Sequence, residues 1–392
     1  MTTETQLDRR RWIKNSALLT GGLAFGTSFF TSLKKASAAE IKETLSQSFL
    51  TDNLIAMETT PPEIKARLSA NENPFGPSAS AKEAIQKSID KSYQYAFYEG
   101  REMSKKIADF EGLSSDNLLL SAGSSPILQA GAILYGKGTI VSSKPTYEDL
   151  LSTAESMGTK VLRLPLTSDY KFDLDAIEKA VDSNTSLVYI CNPNNPTATI
   201  VDSNKLREFC KRVSKKTMIF VDEAYIDLVE NPAETTMIPL IKEGYNIIIT
   251  RTFSKLYGMA GMRFGYMIGQ PATIKKFEQI TPGSMSVANA TWAAALVSYQ
   301  DKPFMKMSYD GIQTSKKYLY DALKKEGYEY VPSDTNFLVF PVKEDSKKFV
   351  MNMMKYGVSV RSWEFNDKQW CRVSIGTLEE MKTFALALAK VS

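Results

Sequence analysis

The stretch NIIITRTFSKLYGMAGMRFGYMIG, residues 246–269, decides the fold because a buried strand in it runs directly into polar and basic residues. The apolar run at 246–252 predicts that strand. Ser254 and Lys255 follow its end, and Arg263 comes eight residues later among four glycines. A single lysine is usually a solvated surface group, but two cations after a buried strand raise the prospect of a ligand site.

Working outward, short apolar runs alternate with helix-length amphipathic stretches, which is typical of βα units on a mostly parallel sheet. Seven strands are predicted, at 117–122, 138–143, 160–166, 186–192, 218–224, 246–252 and 264–269. After about residue 290 the pattern changes to a long helix, four short apolar segments and a closing helix, at 304–327, 328–332, 336–342, 358–363, 371–376 and 378–391. We therefore predict an α/β protein whose large domain carries a mostly parallel seven-stranded sheet, with a smaller α+β domain.

The domain organisation follows from the same pattern. The predicted parts are a signal peptide, an N-terminal arm contributing to the small domain, the large domain and the small C-terminal domain, at 1–38, 39–75, 76–290 and 291–392. Ligands of such proteins bind between domains and beyond the carboxyl ends of strands, so we expect the site there.

Composition excludes several kinds of chemistry. The 392 residues contain no histidine, which rules out Ser-His and Cys-His catalytic pairs and histidine-ligated metals. The three cysteines are far apart in sequence and suggest neither a zinc site nor a disulfide framework, so no metal is predicted. The net charge of +4 resides entirely in residues 1–38. A body of balanced charge gives no case for a nucleic-acid partner.

The first 38 residues resemble an export signal. A basic start is followed by an apolar stretch over 16–33 and by the small-x-small pattern Ala36-Ser37-Ala38. The segment Arg9-Arg10-Arg11-Trp12-Ile13-Lys14 is similar to the twin-arginine motif, which implies the twin-arginine translocase as a partner and a periplasmic or exported protein. The alternative is an uncleaved N-terminal anchoring helix.

Three further strand ends carry polar residues. Ser124 and Ser125 follow Gly123 at the start of a helix, where they either cradle a phosphate or simply cap the helix. Asn195 lies in an Asn/Pro-rich segment that either directs an amide into the cleft or forms a plain turn. Asp222 ends a run that should be buried, and a buried carboxylate needs a partner.

Six motifs carry a family resemblance over about residues 65–390. They are RLSANENPFGPS (67–78), CNPNNPT (191–197), VDEAYIDL (221–228), TRTFSKLYGMAGMRFGY (250–266), NFLVF (336–340) and CRVSIGT (371–377). In this order and spacing the chain resembles the fold-type I pyridoxal-phosphate-dependent aminotransferases, and among them most closely the histidinol-phosphate aminotransferases. The resemblance implies an enzyme that uses pyridoxal 5′-phosphate and acts on the α-amino group of an amino acid, most closely as an aminotransferase of the histidinol-phosphate type. Export is implied by the N-terminal segment instead.

The resemblance also implies roles for matching residues. Lys255 would form the Schiff base with the cofactor, Asp222 would keep the ring nitrogen protonated, and Tyr225 would hydrogen-bond the ring's phenolic oxygen. The other implied cofactor contacts are Ser124, Ser125, Tyr147, Asn195, Ser254, Arg263 and, from a partner subunit of a homodimer, Tyr95. The implied substrate contacts are Arg372, as a clamp on the α-carboxylate, Asn71 and Asn336.

Some positions depart from the family pattern. The family's glycine after NPT is Ala198, its aromatic-Pro-Asp turn is YAF at 95–97, and its acidic pair after the phosphate loop is Ser125-Pro126. Glu148 and Asp149, beside Tyr147, either favour a cationic substrate or are ordinary acids in a first helical turn.

Export and these departures keep two alternatives open. One is a pyridoxal-phosphate- and O2-dependent oxidase of amino acids, related to arginine oxidases, that deaminates its substrate with or without decarboxylation. The other is a cofactor-binding protein without turnover.

Overall fold

Seven strands form one mixed sheet in the computed structural model, which describes residues 63–392, and all of them except the edge strand β4 are mostly buried. Leu and Ile are their commonest residues, which suit a sheet covered on both faces. The strands are β2 (Leu118–Ser121), β3 (Thr139–Lys144), β4 (Val161–Pro165), β5 (Thr185–Cys191), β6 (Met218–Asp222), β7 (Ile247–Thr252) and β8 (Gly265–Ile268).

The order of strands in this sheet is β2-β8-β7-β6-β5-β3-β4. The neighbouring pairs from β7 to β4 are parallel, whereas β8 runs antiparallel to both β7 and β2. The carboxyl ends of the other six strands therefore lie at one edge of the sheet. Asp222 pairs with Thr250 and with Cys191 in the register, which puts the ends of β5, β6 and β7 side by side.

Helices cover the sheets, and polar residues set where many of them begin. The helices are α1 (Ala79–Ser88), α2 (Glu99–Glu111), α3 (Ser125–Tyr135), α4 (Asp149–Ser156), α5 (Leu174–Ala180), α6 (Ser203–Val213), α7 (Pro232–Thr235), α8 (Ile238–Lys242), α9 (Pro271–Glu278), α10 (Asn289–Ser298), α11 (Lys302–Lys325), α12 (Ser346–Lys355) and α13 (Leu378–Val391). At α13, for example, Thr377 and Glu380 form a reciprocal capping box. Within residues 63–392, no helix is long and apolar enough to span a membrane.

The C-terminal part of the chain builds two small sheets. A three-stranded antiparallel sheet has the order β11 (Arg361–Phe365), β12 (Lys368–Ser374), β9 (Phe337–Pro341). Asn366 and Asp367, both in the left-handed region, form the tight turn between β11 and β12. The second sheet pairs β1 (Ala66–Arg67) in parallel with β10 (Val358–Ser359).

The predicted α/β fold with a mostly parallel seven-stranded sheet is confirmed, and each of its seven predicted strands is present. The segment 328–332 is the exception among the C-terminal segments, because it forms no strand. Val331 donates one backbone hydrogen bond to Val339, but Pro332 has no N–H with which to extend a ladder. Residues 64–392 form one compact unit, and the domain boundaries stay predictions. The predicted signal peptide lies outside the described residues.

Candidate active site

Polar side chains meet at the edge of the large sheet where parallel strands end. Asp222 is the last residue of β6, Lys255 follows β7, and Asn195 follows β5. Tyr147 lies between β3 and α4. This is the edge at which open α/β sheets bind ligands, so the fold itself brings four of the predicted site residues together.

A series of hydrogen bonds connects this edge of the large sheet with the three-stranded sheet. Lys255 Nζ donates to the carbonyl of Asn71 at 3.3 Å, and Asn71 Nδ2 donates to the hydroxyl of Tyr225 at 3.1 Å. Asn195 Nδ2 also donates to that hydroxyl, at 3.4 Å. Arg372, in β12, donates from Nη1 to Asn195 Oδ1 at 2.8 Å. Five residues predicted from the sequence thus belong to one connected network.

Burial lowers the pKa of both cations in this network. It lowers the pKa of Lys255 to about 8, and the positive charge of Arg372 acts in the same direction. It also lowers the pKa of Arg372, to about 9, which still leaves the guanidinium charged at neutral pH. A neutral amine at Lys255 is therefore within easy reach near pH 8, as a nucleophile or proton acceptor requires.

Asp222 is a buried carboxylate, only 1% exposed, that accepts hydrogen bonds from neutral donors. Thr250 Oγ1 donates to Oδ1 at 2.9 Å, the backbone N–H of Ala224 donates at 3.2 Å, and the hydroxyl of Tyr189 donates to Oδ2 at 3.4 Å. Within residues 63–392, no ion pair is formed by Asp222. Burial raises its pKa to about 6. A carboxylate in this state suits a cationic ligand.

A second group of residues forms a cradle beside β8. Arg263 has left-handed backbone angles, and its Nη1 lies 3.4 Å from the hydroxyl of Ser254. Residues 123–124, the loop expected to bind a phosphate, lie directly against β8 at Gly265. A Cβ at position 265 would lie 2.7 Å from the backbone of Gly123, so this close approach requires glycine. Hydroxyls, backbone N–H groups and a guanidinium at a helix start suit a phosphate.

Ser124 is the N-cap residue of α3, but its hydroxyl makes no capping hydrogen bond to that helix. A phosphate contact of Ser124 or Ser125 stays a prediction. Ser125 lies beside Tyr147. Burial raises the pKa of Tyr147 to about 12, and a hydrogen bond with Ser125 opposes that rise. Glu148 forms an ion pair with Arg163 at 2.6 Å, which favours an ordinary structural role for this acid.

The two remaining predicted site residues are Asn336 and Tyr95. Asn336 lies behind Asn71 and donates to its carbonyl at 3.0 Å. The side chain of Tyr95 is 77% exposed, and its ring contacts that of Phe97. Its contact with the cofactor of a partner subunit stays a prediction.

Sequence reasoning missed the residues that hold the predicted ones. Tyr189 and Thr250 position Asp222, and Ser374 accepts from the backbone of Asn71 at 2.8 Å. Asn73 donates to the carbonyl of Leu256, next to Lys255, at 2.6 Å. The available signal was a polar residue inside an otherwise apolar strand, as at Tyr189 and Thr250.

Unpaired polar atoms show what kind of group fits here. Arg372 Nε and Asn336 Oδ1 are buried without a hydrogen-bond partner in the described part of the chain. The buried carboxylate of Asp222 suits a cation, and the cradle at Ser254 and Arg263 suits an anion. Pyridoxal phosphate has a ring nitrogen that takes a proton and a phosphate, and it leaves Arg372 for a substrate carboxylate. Fold and site together therefore define a pyridoxal-phosphate-dependent enzyme of fold type I.

Comparison with known proteins gives the family. The model of aminotransferase class I and II matches residues 63–388, and the chain belongs to that family. A histidinol-phosphate aminotransferase of Moorella thermoacetica is 32% identical over 329 residues, 83% of this chain and 85% of the relative. A histidinol-phosphate aminotransferase of Halalkalibacterium halodurans is 31% identical over 84% of this chain and 89% of the relative.

A solved structure supports the same assignment. The histidinol-phosphate aminotransferase of Sinorhizobium meliloti, in complex with pyridoxal-5′-phosphate, superposes with a TM-score of 0.78 at 25% identity, covering 88% of this chain and 97% of that one. The predicted resemblance to pyridoxal-phosphate-dependent aminotransferases close to the histidinol-phosphate type is thereby confirmed.

Proposed function

We propose that this aminotransferase takes the α-amino group from an amino acid or amino-alcohol phosphate at the crevice that contains Lys255. The observation that carries the proposal is the buried hydrogen-bond network from Lys255 through Asn71 and Tyr225 to Arg372. It puts a lysine of lowered pKa within one site with an arginine suited to a carboxylate or phosphate.

The residues that would hold the cofactor follow from their chemistry. Asp222 would bind the protonated ring nitrogen, and the hydroxyl of Tyr225 would donate to the ring's phenolic oxygen. Ser124, Ser254 and Arg263 would bind the phosphate. When bound, the cofactor supplies an electron sink for chemistry at the substrate's α-carbon.

The chain's own residues account for orientation and proton movement. Arg372 binds the anionic group of the substrate, and its unpaired Nε is a donor that the protein leaves free for this purpose. Lys255 Nζ takes the α-proton and returns it, because its amine is largely desolvated and its pKa lies near 8. This assignment needs no histidine.

The relatives' names suggest histidinol phosphate as a substrate, so it belongs in the test beside a panel of amino acids. Under nitrogen, the purified protein should release one keto product per site and then accept an amino group back from the second substrate. Oxygen consumption with release of ammonia would instead favour the oxidase hypothesis, which the comparisons do not support.

Replacing Lys255 by Ala should abolish both half-reactions and the absorption band of the lysine-bound cofactor, since no other lysine of residues 63–392 belongs to this hydrogen-bond network. Lys276→Ala, an exposed lysine in α9, is the matched control and should leave both unchanged. Persistence of the band in Lys255→Ala would contradict the assignment. A wild-type band without turnover would indicate a binder.

Export is part of the proposal, and its support is the sequence alone. The twin-arginine-like segment and the Ala36-Ser37-Ala38 pattern are the reasons for it. Fractionation of cells should find the wild-type chain, shortened by about 38 residues, outside the cytoplasm. The pair Arg9→Lys and Arg10→Lys should retain the full-length chain inside. Equal distribution of both proteins would contradict export by this route.

A homodimer is also part of the proposal. The segment between α1 and α2 exposes Tyr93, Tyr95, Phe97 and Tyr98, each at least 60% exposed. Large exposed aromatic clusters are unusual on the surface of a monomer and are common at protein interfaces. This surface supports a site completed by Tyr95 of a second copy.

A further inference from the structure

A buried ion pair lies on the far side of the sheet from Asp222. Arg251, in β7, donates from Nε and Nη2 to Glu223 Oε2, both at 3.1 Å. Arg251 is 8% exposed and Glu223 is 2% exposed. The proposed chemistry does not use either residue, although each directly adjoins a residue of the site.

The pair is fully supported by further hydrogen bonds. Thr236 lies between the two partners, because its hydroxyl donates to Glu223 Oε2 at 2.8 Å and accepts from Arg251 Nη2 at 2.9 Å. The backbone N–H of Met237 donates to Glu223 Oε1 at 2.7 Å. Arg251 Nη1 also donates to Glu111 at 3.0 Å. Bonds of this number and length hold the side chain of Glu223 in one orientation.

Two adjacent side-chain contacts therefore connect the ends of β6 and β7, one on each face of the sheet. Successive strand residues point to opposite faces. Thr250 binds the carboxylate of Asp222 on the site's face at 2.9 Å, and Arg251 binds Glu223 on the other face. The backbone N–H of Glu223 donates to the carbonyl of Thr250 at 2.9 Å, and this hydrogen bond connects the two side-chain contacts directly.

We infer that Glu223 and Arg251 are positioning residues for Asp222. The inference rests on the proposed function, because Asp222 is taken to bind the ring nitrogen of the cofactor. The carboxylate of Asp222 is held directly by Thr250, Ala224 and Tyr189. Because β6 ends at Asp222, the pair of Glu223 and Arg251 fixes the chain one residue beyond the strand end, on the far face. Groups that meet a reacting atom need support of this kind, since a small displacement costs much of the interaction.

A carbocyclic analogue of pyridoxal phosphate, with C–H in place of the ring nitrogen, separates this role from a general structural one. Asp222 can bind the nitrogen but not the C–H group, while the aldehyde and phosphate contacts are the same for both molecules. The ratio of the two dissociation constants, measured by spectroscopic titration of cofactor-free protein, therefore reports the work of Asp222 alone. Wild-type protein should prefer pyridoxal phosphate by roughly 10- to 100-fold.

Glu223→Gln should lower this preference by roughly threefold or more, towards the low value expected for Asp222→Ala, whose side chain cannot bind the ring nitrogen. Gln keeps the size of the side chain but weakens its hold on Arg251. The matched control is Glu111→Gln, which removes the same charge from the same arginine without adjoining Asp222. It should keep the wild-type preference even if the unfolding midpoint in urea falls equally in both variants.

Thr236→Val provides a milder second variant should Glu223→Gln fold poorly. It removes the hydroxyl between the partners and should lower the preference in the same direction by a smaller factor. An unchanged preference in folded Glu223→Gln or Thr236→Val would overturn the inference, as would an equal loss in Glu111→Gln. If wild-type protein bound neither molecule, the proposed function would fail together with the inference. Wild-type preference with unresponsive variants would refute only the inference.

Discussion

At the scale of single residues, the site holds charges in forms that are unfavourable without a ligand. Asp222 is buried and accepts only from neutral donors, so burial raises its pKa to about 6 from an ordinary value of 3.8. A group whose pKa is raised on folding stabilises the protein at low pH. Its contribution is fully present below about pH 4 and is lost as the pH rises through about 6.

Asp222→Asn should therefore stabilise the cofactor-free protein at pH 8, by on the order of 3 kcal/mol, because Asn cannot ionise. The advantage should disappear near pH 4, where the aspartate is protonated. Urea unfolding of both proteins, without cofactor, at the two pH values measures this. Equal stability at pH 8 would mean that the ionised carboxylate is already satisfied without a cation.

At the scale of secondary structure elements, the sequence predicted the large sheet well, because each strand combines an apolar run with polar residues at its end. Lys255, Asp222 and Asn195 were found for that reason. The segment 328–332 has the same apolar character but no partner strand along it, and this depends on the rest of the fold. Tyr189 and Thr250 are visible in the sequence as polar residues within strands, but their contact with Asp222 depends on register across the sheet, which the local pattern does not contain.

The close approach of the loop at 123–124 to Gly265 in β8 leads to a prediction at this scale. Gly265→Ala should push the loop at 123–124 off the sheet, since the new Cβ would lie within 2.9 Å of three backbone atoms. We expect a loss of about 1–3 kcal/mol in unfolding free energy and weaker binding of pyridoxal phosphate. Urea unfolding and equilibrium titration measure the two effects.

The control lies one residue beyond the same strand. A Cβ at Gly269 would meet its nearest neighbour at 3.4 Å, an ordinary contact, so Gly269→Ala should bind the cofactor as the wild type does. Similar losses in the two variants would show that the close approach at Gly265 has no special effect on the phosphate loop.

At the scale of the whole molecule, the resemblance predicted more than the residues of one chain can display. The position of Tyr95 illustrates the difference, because its 77% exposure leaves it without a role inside the described chain. A role appears only if a second copy covers it. Composition and local pattern carry no information about such an arrangement, whereas the family resemblance implies it.

Mixed dimers test this arrangement. Tyr95→Ala should weaken cofactor binding without changing the unfolding free energy by more than about 0.5 kcal/mol, since the side chain is exposed. Co-expression with Lys255→Ala should restore activity, because half the sites of a mixed dimer would contain both wild-type residues. Size-exclusion chromatography with light scattering measures the assembly itself. A monomer, or inactive mixtures, would contradict a shared site.

The pairing of β1 with β10 also bears on how the protein is made. The backbone N–H groups of Lys65, Ala66, Leu68 and Asn71 donate to Gly357, Ser359 and Ser374, which come far later in the chain, 303 positions later in the case of Asn71 and Ser374. While the ribosome is still elongating the chain, Asn71 has neither Ser374 to hold it nor a finished crevice to enter. Completion of this part of the molecule is thus a late event that reports on full-length synthesis, and a prematurely terminated chain would expose its incomplete small sheet to proteolysis.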